Sequence, residues 1–461
     1  VNWHDVLTAM LPEHVLLAGM LLLLVAEIRR GRERGGFALA LVTAILAAAS
    51  ALWLACTGYA GAPFPGHYVV DPAASLAKAV LIALTLPVLL VSRDDFEETR
   101  YYVLVLASVY GACLLTASAS FATLFLAIEI MSLPVYALVL LAFLRPESSE
   151  AALKYLVLGG AATATLLFGV SLLYGWGATL DLAVFASALD SQDTMATAGA
   201  ALVIAALFLK AAVVPLHAWA PDAYEGASVP VTAYMATVIK AGVLIAALRL
   251  FATAPVGGAV AGLLVALPLA SMVWGNIAAI RQTAFRRMIA YSSIAHAGYL
   301  FYAFLGDGDG RYQAIIFYVV AYGVMNLLAF AALPRGADDT TQDRLDAFKG
   351  LYQRRPFAAI AIAIAMLSLA GLPPLPGFVA KFLIFRNVVA AGYTVYAVLG
   401  LVASYLGIYF YLRVIQYMFM SAEVPDAAHG RPRRYAMLAT LLCLVPGVLL
   451  ALFPGWLLDR L

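Results

Sequence analysis

Long apolar runs alternate with short polar connections along nearly the whole chain. A membrane-spanning helix needs about 20 predominantly apolar residues. Fourteen segments meet that length roughly: 14–29, 37–57, 72–92, 102–118, 121–144, 150–174, 195–216, 228–251, 256–279, 285–305, 313–333, 356–385, 393–420 and 435–457. The seventh is interrupted at Pro215, and the twelfth at Gly371-Leu-Pro-Pro-Leu-Pro-Gly377. Proline removes a backbone donor and clashes with the preceding turn, so both segments should be broken helices. The pattern predicts an all-α polytopic membrane protein of about 14 transmembrane helices, with helices 7 and 12 broken.

Composition supports this reading. Of 461 residues, 64% are hydrophobic and only 12% are charged, against about 25% charged in soluble domains. The net charge of +2 offers no basic patch for nucleic acid. His4, Asp5, Glu13 and His14 precede the first apolar run and a basic cluster follows it. That order is the reverse of a secretory leader, so the first run is expected to be an uncleaved span. Cys56, Cys113 and Cys443 are scattered singly in apolar segments, without metal or iron–sulfur spacing, and are expected to be small buried hydrophobes. No Gly-rich nucleotide fingerprint is present. The chain is expected to hold no cofactor.

Positive charge alternates between connections. Arg29, Arg30, Arg32 and Arg34 follow the first segment. Arg93 and Arg100, then Arg145, then Arg281, Arg286 and Arg287 mark later ones. Next come Arg335, Arg344, Lys349, Arg354 and Arg355, and finally Arg431, Arg433 and Arg434. Residues 57–74 and 175–194 contain neither Lys nor Arg. The positive-inside rule then puts the basic connections in the cytoplasm and both termini on the outer, periplasmic side.

Lysine is used differently. Of six lysines, Lys78, Lys154, Lys210, Lys240 and Lys381 fall in apolar segments, and only Lys349 lies in a loop. A desolvated lysine can shed its proton and an arginine cannot, so membrane-depth lysines suit a proton relay. Glu129, midway along the fifth segment, is costly there unless paired or protonated. It is expected to partner Lys210 or Lys154. Lys210, five residues before Pro215, is the expected switchable base, Lys240 the next station and Lys381 an exit site. Lys154 lies near the start of its segment, where reaching to the interface competes with function. Lys78, close to Asp71, is expected to snorkel or form a local ion pair. His217, just past the Pro215 break, and His296, beside Tyr291, Ser292 and Ser293, could pass protons near neutral pH or serve packing alone. Arg413 is expected to be a fixed charge.

An internal repeat is also expected. Lys381 follows Lys210 at nearly the interval by which Arg413 follows Lys240, and Glu129 maps near His296. The chain divides into N-terminal helices 1–3 (1–101), a first repeat of helices 4–8 (102–251), a second of helices 9–13 (256–420) and a C-terminal helix 14 (435–461). The two five-helix repeats would be inverted, because segments 7 and 12 run in opposite directions.

Four stretches carry a family resemblance. They are Pro215-Leu-His-Ala-Trp-Ala-Pro-Asp-Ala-Tyr-Glu-Gly-Ala-Ser-Val-Pro-Val-Thr-Ala, Arg286-Arg-Met-Ile-Ala-Tyr-Ser-Ser-Ile-Ala-His-Ala-Gly-Tyr, Leu345-Asp-Ala-Phe-Lys-Gly-Leu and Leu367-Ser-Leu-Ala-Gly-Leu-Pro-Pro-Leu-Pro-Gly-Phe-Val-Ala-Lys. The chain resembles the antiporter-like subunits of respiratory complex I, the proton-translocating NADH–quinone oxidoreductase, from about segment 4 to segment 13. Within the family the chain resembles N-type members. Tyr224-Glu-Gly followed by Val-Pro-Val-Thr is N-like, Lys381 stands where M-type members have glutamate, and no long lateral helix of the L type follows segment 14.

The resemblance implies proton translocation through Glu129, Lys210, Lys240 and Lys381, with Lys154 matching a further family lysine. It implies that flavin, iron–sulfur clusters and quinone sit on other subunits. It also implies membrane-arm partners of the M, K, J, A, H and L types, and a place in a bacterial inner membrane. The competing implication is a subunit of a multisubunit sodium/proton antiporter without redox activity. A third reading makes the chain a spacer whose buried charges only fix packing.

Overall fold

The computed structural model describes residues 3–30, 36–141, 146–252, 258–306, 308–334, 343–422 and 433–459. Arg32, Arg34, Arg145, Arg335 and Arg431 lie outside the described residues. Among those described, thirteen helices are long and apolar enough to cross a membrane. The expected twelfth span is two shorter pieces, Pro356–Ala370 and Pro376–Ala390. The thirteen helices and this pair together account for the fourteen expected segments. The seventh segment ends early, as Thr194–Ala211, and resumes as the short helix Trp219–Gly226.

Residues group into two compact units, one of Val1–Ala211 with Val238–Ala261 and the other of Ala212–Thr237 with Gly262–Leu461. Lys210 and Lys240 therefore belong to the first unit, and the connection carrying His217 belongs to the second.

In the first unit, helix Phe121–Leu140 starts with a reciprocal cap. Ser120 and Thr123 each satisfy the other's backbone N–H, meeting two donors that a helix start leaves open. The same helix packs against Thr99–Thr116 and Pro146–Gly177, and the latter runs along Thr194–Ala211. Ser108 Oγ donates to the Met131 carbonyl at 2.6 Å, fixing the height of the helix that carries Glu129.

A two-stranded antiparallel hairpin, Gly61–Phe64 with Tyr68–Val70, closes one end of this unit. Its strands are too short to leave an alternating pattern, so from sequence residues 57–74 read only as a connection. Cys113 and Cys443 are buried as expected, but Cys56 is exposed, being the last residue of helix Gly36–Cys56.

In the second unit, the start of helix Phe285–Tyr302 is tied down by charge. Arg286 Nε lies 3.1 Å from Asp343 Oδ2, and Arg286 also donates to the Ala227 carbonyl. Arg287 Nη1 donates to Asp222 at 2.7 Å and to Glu225 at 2.9 Å. The polar residues of the resumed seventh segment thus anchor it to helix Phe285–Tyr302. Just before this helix start in the chain, the carbonyls of Ile280 and Gln282 accept from Arg413 at 2.6 and 2.7 Å, a fixed cation on the C-terminal end of helix Gly258–Ile280.

Candidate proton-handling sites

The first unit places Glu129 and Lys210 together. Lys210 Nζ lies 3.2 Å from Glu129 Oε1, with side chains 9% and 19% exposed. Thr163 Oγ1 also donates to Glu129 Oε1. Ser132 Oγ and Tyr136 Oη each stand 3.4 Å from Lys210 Nζ. Ser132 and Tyr136 are three and seven residues beyond Glu129, hence on the same helix face. That spacing is a legible signal of a polar face, although neither residue was among those expected at the site. Lys210 is the last residue but one of its helix. The helix stops at Ala212, which has a φ of 60°, a left-handed conformation unusual for a residue with a Cβ. The charged pair therefore adjoins the end of a hydrogen-bonded ladder, where carbonyls lack helical partners.

Lys154 takes another partner. Its Nζ lies 2.7 Å from Glu150, one turn earlier on the same helix, and it is 43% exposed. Of the two partners expected for Glu129, the structure pairs it with Lys210.

Lys240 is 5% exposed. It opens helix Lys240–Phe251 directly after a π-helical turn, Met235–Ile239. Such turns are rare and concentrate at functional sites. Helix Lys240–Phe251 packs against Thr194–Ala211 and Thr99–Thr116, so Lys210 and Lys240 lie on neighbouring helices.

In the second unit, Lys381 is cradled by neutral oxygens. Its Nζ donates to the carbonyls of Leu369 and Ala370 at 3.1 and 3.0 Å, and to Ser404 Oγ at 2.9 Å. The Tyr299 ring centroid is 4.9 Å away. The break creates this cradle. Gly371, with a φ of 87°, ends helix Pro356–Ala370 in the left-handed conformation and exposes the last carbonyls. These carry the negative end of the helix dipole, which favours a cation.

His296 lies at 3% exposure in the same unit. Its Nδ1 is 2.8 Å from Tyr318 Oη and its Nε2 is 3.1 Å from Tyr411 Oη, which in turn meets Ser292 Oγ at 2.5 Å. A cavity of about 10 Å³, the room of one water, is lined by His296, Tyr318 and Tyr322 on one side. Ser368, Leu369 and Gly377 of the twelfth-segment break line the other. His217 Nε2 accepts from Trp274 Nε1 at 3.0 Å. Trp274, Tyr318, Tyr411 and Ser404 were not identified from sequence, since nothing local ties them to these partners.

One fully buried ion pair was likewise not expected. Lys78 Nζ lies 2.8 Å from Glu13 Oε1, and both side chains are fully buried. Tyr68 Oη donates to Glu13 at 2.8 Å and accepts from Lys78 at 3.1 Å. Lys78 neither snorkels nor pairs with Asp71, which caps its own helix at Ala74 N and meets Arg249 at 3.2 Å. The partner comes from 65 positions away in the chain, beyond any local pattern.

Among the described residues, no three His, Cys, Asp or Glu side chains converge as a metal site. A profile of the family described as NADH:quinone oxidoreductase/Mrp antiporter, transmembrane, matches residues 118–407. The NADH-quinone oxidoreductase subunit N of Pelobacter propionicus is 39% identical over 420 residues, covering 90% of each chain. A chain in the structure of respiratory complex I from Thermus thermophilus superposes with a TM-score of 0.86 at 33% identity, over 97% of this chain and 98% of that one. A chain of the Mrp complex from Dietzia sp. has a TM-score of 0.85 at 23% identity, over 98% of this chain and 96% of that one; it shares the fold.

Proposed function

Because this chain belongs to the NADH:quinone oxidoreductase/Mrp antiporter family of transmembrane subunits, we propose that its buried charges are a proton relay in the membrane arm of a respiratory NADH–quinone oxidoreductase. The observation that carries the reading is the Glu129–Lys210 pair at 3.2 Å beside the broken seventh segment. With Glu129 ionised and near, Lys210 keeps its proton. With the carboxylate drawn away or neutralised, desolvation disfavours the ammonium and the proton leaves. Lys240 receives it and Lys381 delivers it to the outlet, while Lys154, His217 and His296 support entry and exit. Proton movement is driven by quinone reduction elsewhere in the assembly. Flavin, iron–sulfur clusters and quinone belong to its other subunits, and no redox step falls on this chain.

The partners are membrane-arm subunits of the M, K, J, A, H and L types, in a bacterial inner membrane with both termini periplasmic. The alternation of arginine between connections supports that orientation. Helices 4–8 (102–251) and 9–13 (256–420) act as inverted repeats, a reading supported by a lysine beside a break in each, Lys210 mostly buried and Lys381 buried.

The test uses the assembly in inverted membrane vesicles, with NADH oxidation and proton uptake followed together. Glu129→Gln and Lys210→Met should each abolish most coupled proton uptake. Unimpaired pumping in both variants would sink the assignment. Co-purification of flavin and iron–sulfur subunits separates this reading from a redox-silent sodium/proton antiporter.

A further inference from the structure

Helix Gly258–Ile280 carries a buried carboxamide in an otherwise apolar span. Asn276 is 2% exposed, and an amide there is costly unless it is bonded. Its Nδ2 stands 2.8 Å from the carbonyl of Met272 on its own helix, 2.9 Å from the carbonyl of Ala403 and 3.1 Å from Tyr299 Oη. Carbonyl oxygens only accept, so the NH₂ end of the amide must face them. The same end donates to the tyrosine. Three helices therefore meet at this one group: Gly258–Ile280, Phe285–Tyr302 and Thr394–Met420. Gly407 leaves room for it. It lies one turn beyond Ala403, and a Cβ there would come within 2.6 Å of Asn276 Oδ1.

The two partners on other helices lead to the same ammonium. Ser404 directly follows Ala403, and its Oγ accepts from Lys381 Nζ at 2.9 Å. The Tyr299 ring, whose hydroxyl Asn276 holds, has its centroid 4.9 Å from that Nζ, close enough for an aromatic face to attract a cation. The carbonyls of Leu369 and Ala370 are placed by the twelfth-segment break itself. Ser404 and Tyr299 come from two other helices, and Asn276 ties those helices together at the level of the lysine.

We propose that Asn276 is a positioning residue for the Lys381 site. By holding Tyr299 Oη and the carbonyl beside Ser404, it keeps in place the hydroxyl and the aromatic face that favour the charged lysine, and so sets when Lys381 gives up its proton. The role presupposes that Lys381 passes protons, as proposed for the relay. Hydrogen bonds to an ammonium favour its charged form. Without the amide, Ser404 and Tyr299 loosen and the proton leaves at lower pH.

Other titratable groups surround Lys381. His296, Tyr318 and Tyr322 line a cavity that the adjacent Ala380 also lines, and Tyr411 of helix Thr394–Met420 bonds His296. Arg386 lies on the lysine's own helix, and Arg434–Leu452, packed against it, carries Arg434, Tyr435 and Cys443. Helix Pro356–Ala370 carries none. Asn276 bonds none of these groups, so their titration is common to parent and variant.

The test uses the assembly in inverted membrane vesicles, with uncoupled NADH oxidation and coupled proton uptake measured across a range of pH. Asn276→Ala should oxidise NADH at the parent rate. The alkaline limb of its proton uptake should move to lower pH by about one unit, the scale of one hydrogen bond to a charged group. Ser404→Ala should move it in the same direction, and the two together by less than the sum of their separate shifts. A residue serving packing alone would lower the amount of assembled complex and leave the pH profile in place. A parent profile in Asn276→Ala, or shifts that add in full, therefore overturns the proposal. Should Asn276→Ala fail to assemble, Tyr299→Phe decides, because it keeps the ring and removes only the hydroxyl that Asn276 holds. The same shift in that variant supports the role, and the parent profile overturns it. Lys381→Arg separates the relay from the positioning role. If it pumps normally, the relay reading falls and the role of Asn276 with it. If it does not pump while Asn276→Ala keeps the parent profile, only the role of Asn276 falls.

Discussion

Lys381 Nζ sits 3.0 Å from the Ala370 carbonyl oxygen, so the lysine of the second unit is held by the last carbonyls of a helix. Lys210, in the first unit, is held by the carboxylate of Glu129 at 3.2 Å. A carboxylate can be neutralised by a proton, but a row of carbonyls cannot.

This difference sets the expected behaviour of Lys381. Lys381→Arg keeps a cation for the carbonyls of Leu369 and Ala370 but cannot release its proton at any relevant pH. The variant should assemble at normal levels and oxidise NADH while coupled proton uptake falls at least about tenfold, a barrier change of ~1.4 kcal/mol. Vesicle quenching assays beside quinone-reductase assays measure both. Normal pumping in the Arg variant would show that Lys381 need not deprotonate.

Stability and pumping should separate at Glu129. Glu129→Gln leaves the Lys210 ammonium without its carboxylate at 9% exposure. Breaking a buried pair costs about 3–5 kcal/mol, and the 19% exposure of Glu129 favours the low end. Adding Lys210→Met should restore most of the thermal stability and none of the pumping. If the double variant pumps, the pair is structural.

At Gly159 the expected effect is steric. A Cβ there would lie 2.0 Å from Tyr136 Oη, and that hydroxyl stands 3.4 Å from Lys210 Nζ. Gly159→Ala must push Tyr136 aside, at about 1–3 kcal/mol, and should lower proton uptake more than NADH oxidation. Tyr136→Phe, which removes only the hydroxyl, should reproduce the pumping defect with less loss of thermal stability.

Glu13 and Lys78 test the opposite case. Both side chains are fully buried, so Lys78→Met or Glu13→Leu alone should cost about 3–5 kcal/mol and lower the assembled amount. The double replacement should recover most of that loss, as apolar substitutes for a buried pair generally do. Proton uptake per NADH in the recovered double variant should equal that of the parent. Reduced stoichiometry would give this pair a transport role.

How much was legible follows the range of each interaction. Spans are local, so runs of apolar residues locate the membrane-length helices but not short ones such as Trp3–Ala9 and Ala183–Leu189, and prolines locate both breaks. The importance of Lys210, Lys240 and Lys381 was legible because a charge in an apolar run is costly wherever it goes. Their partners were less so. Glu129 with Lys210 was one of two options open to sequence, while Lys78 with Glu13, and Lys381 with the Ala370 carbonyl, arise from the approach of separate helices. The hairpin at Gly61–Val70 and the π turn before Lys240 leave too short a trace to detect from residue type.

That π turn, Met235–Ile239, has a geometric consequence for the lysine it precedes. A turn closed by an i→i+5 bond stores one residue more than the α-helix around it. If the surplus residue migrated past Lys240, every intervening side chain would rotate by about 100°, the angle between successive residues at 3.6 per turn. The helix would stay continuous, and its far end at Phe251 need not shift. The segment thus holds a built-in slack of one residue, enough to re-aim the Lys240 ammonium while the helix beyond it keeps its place.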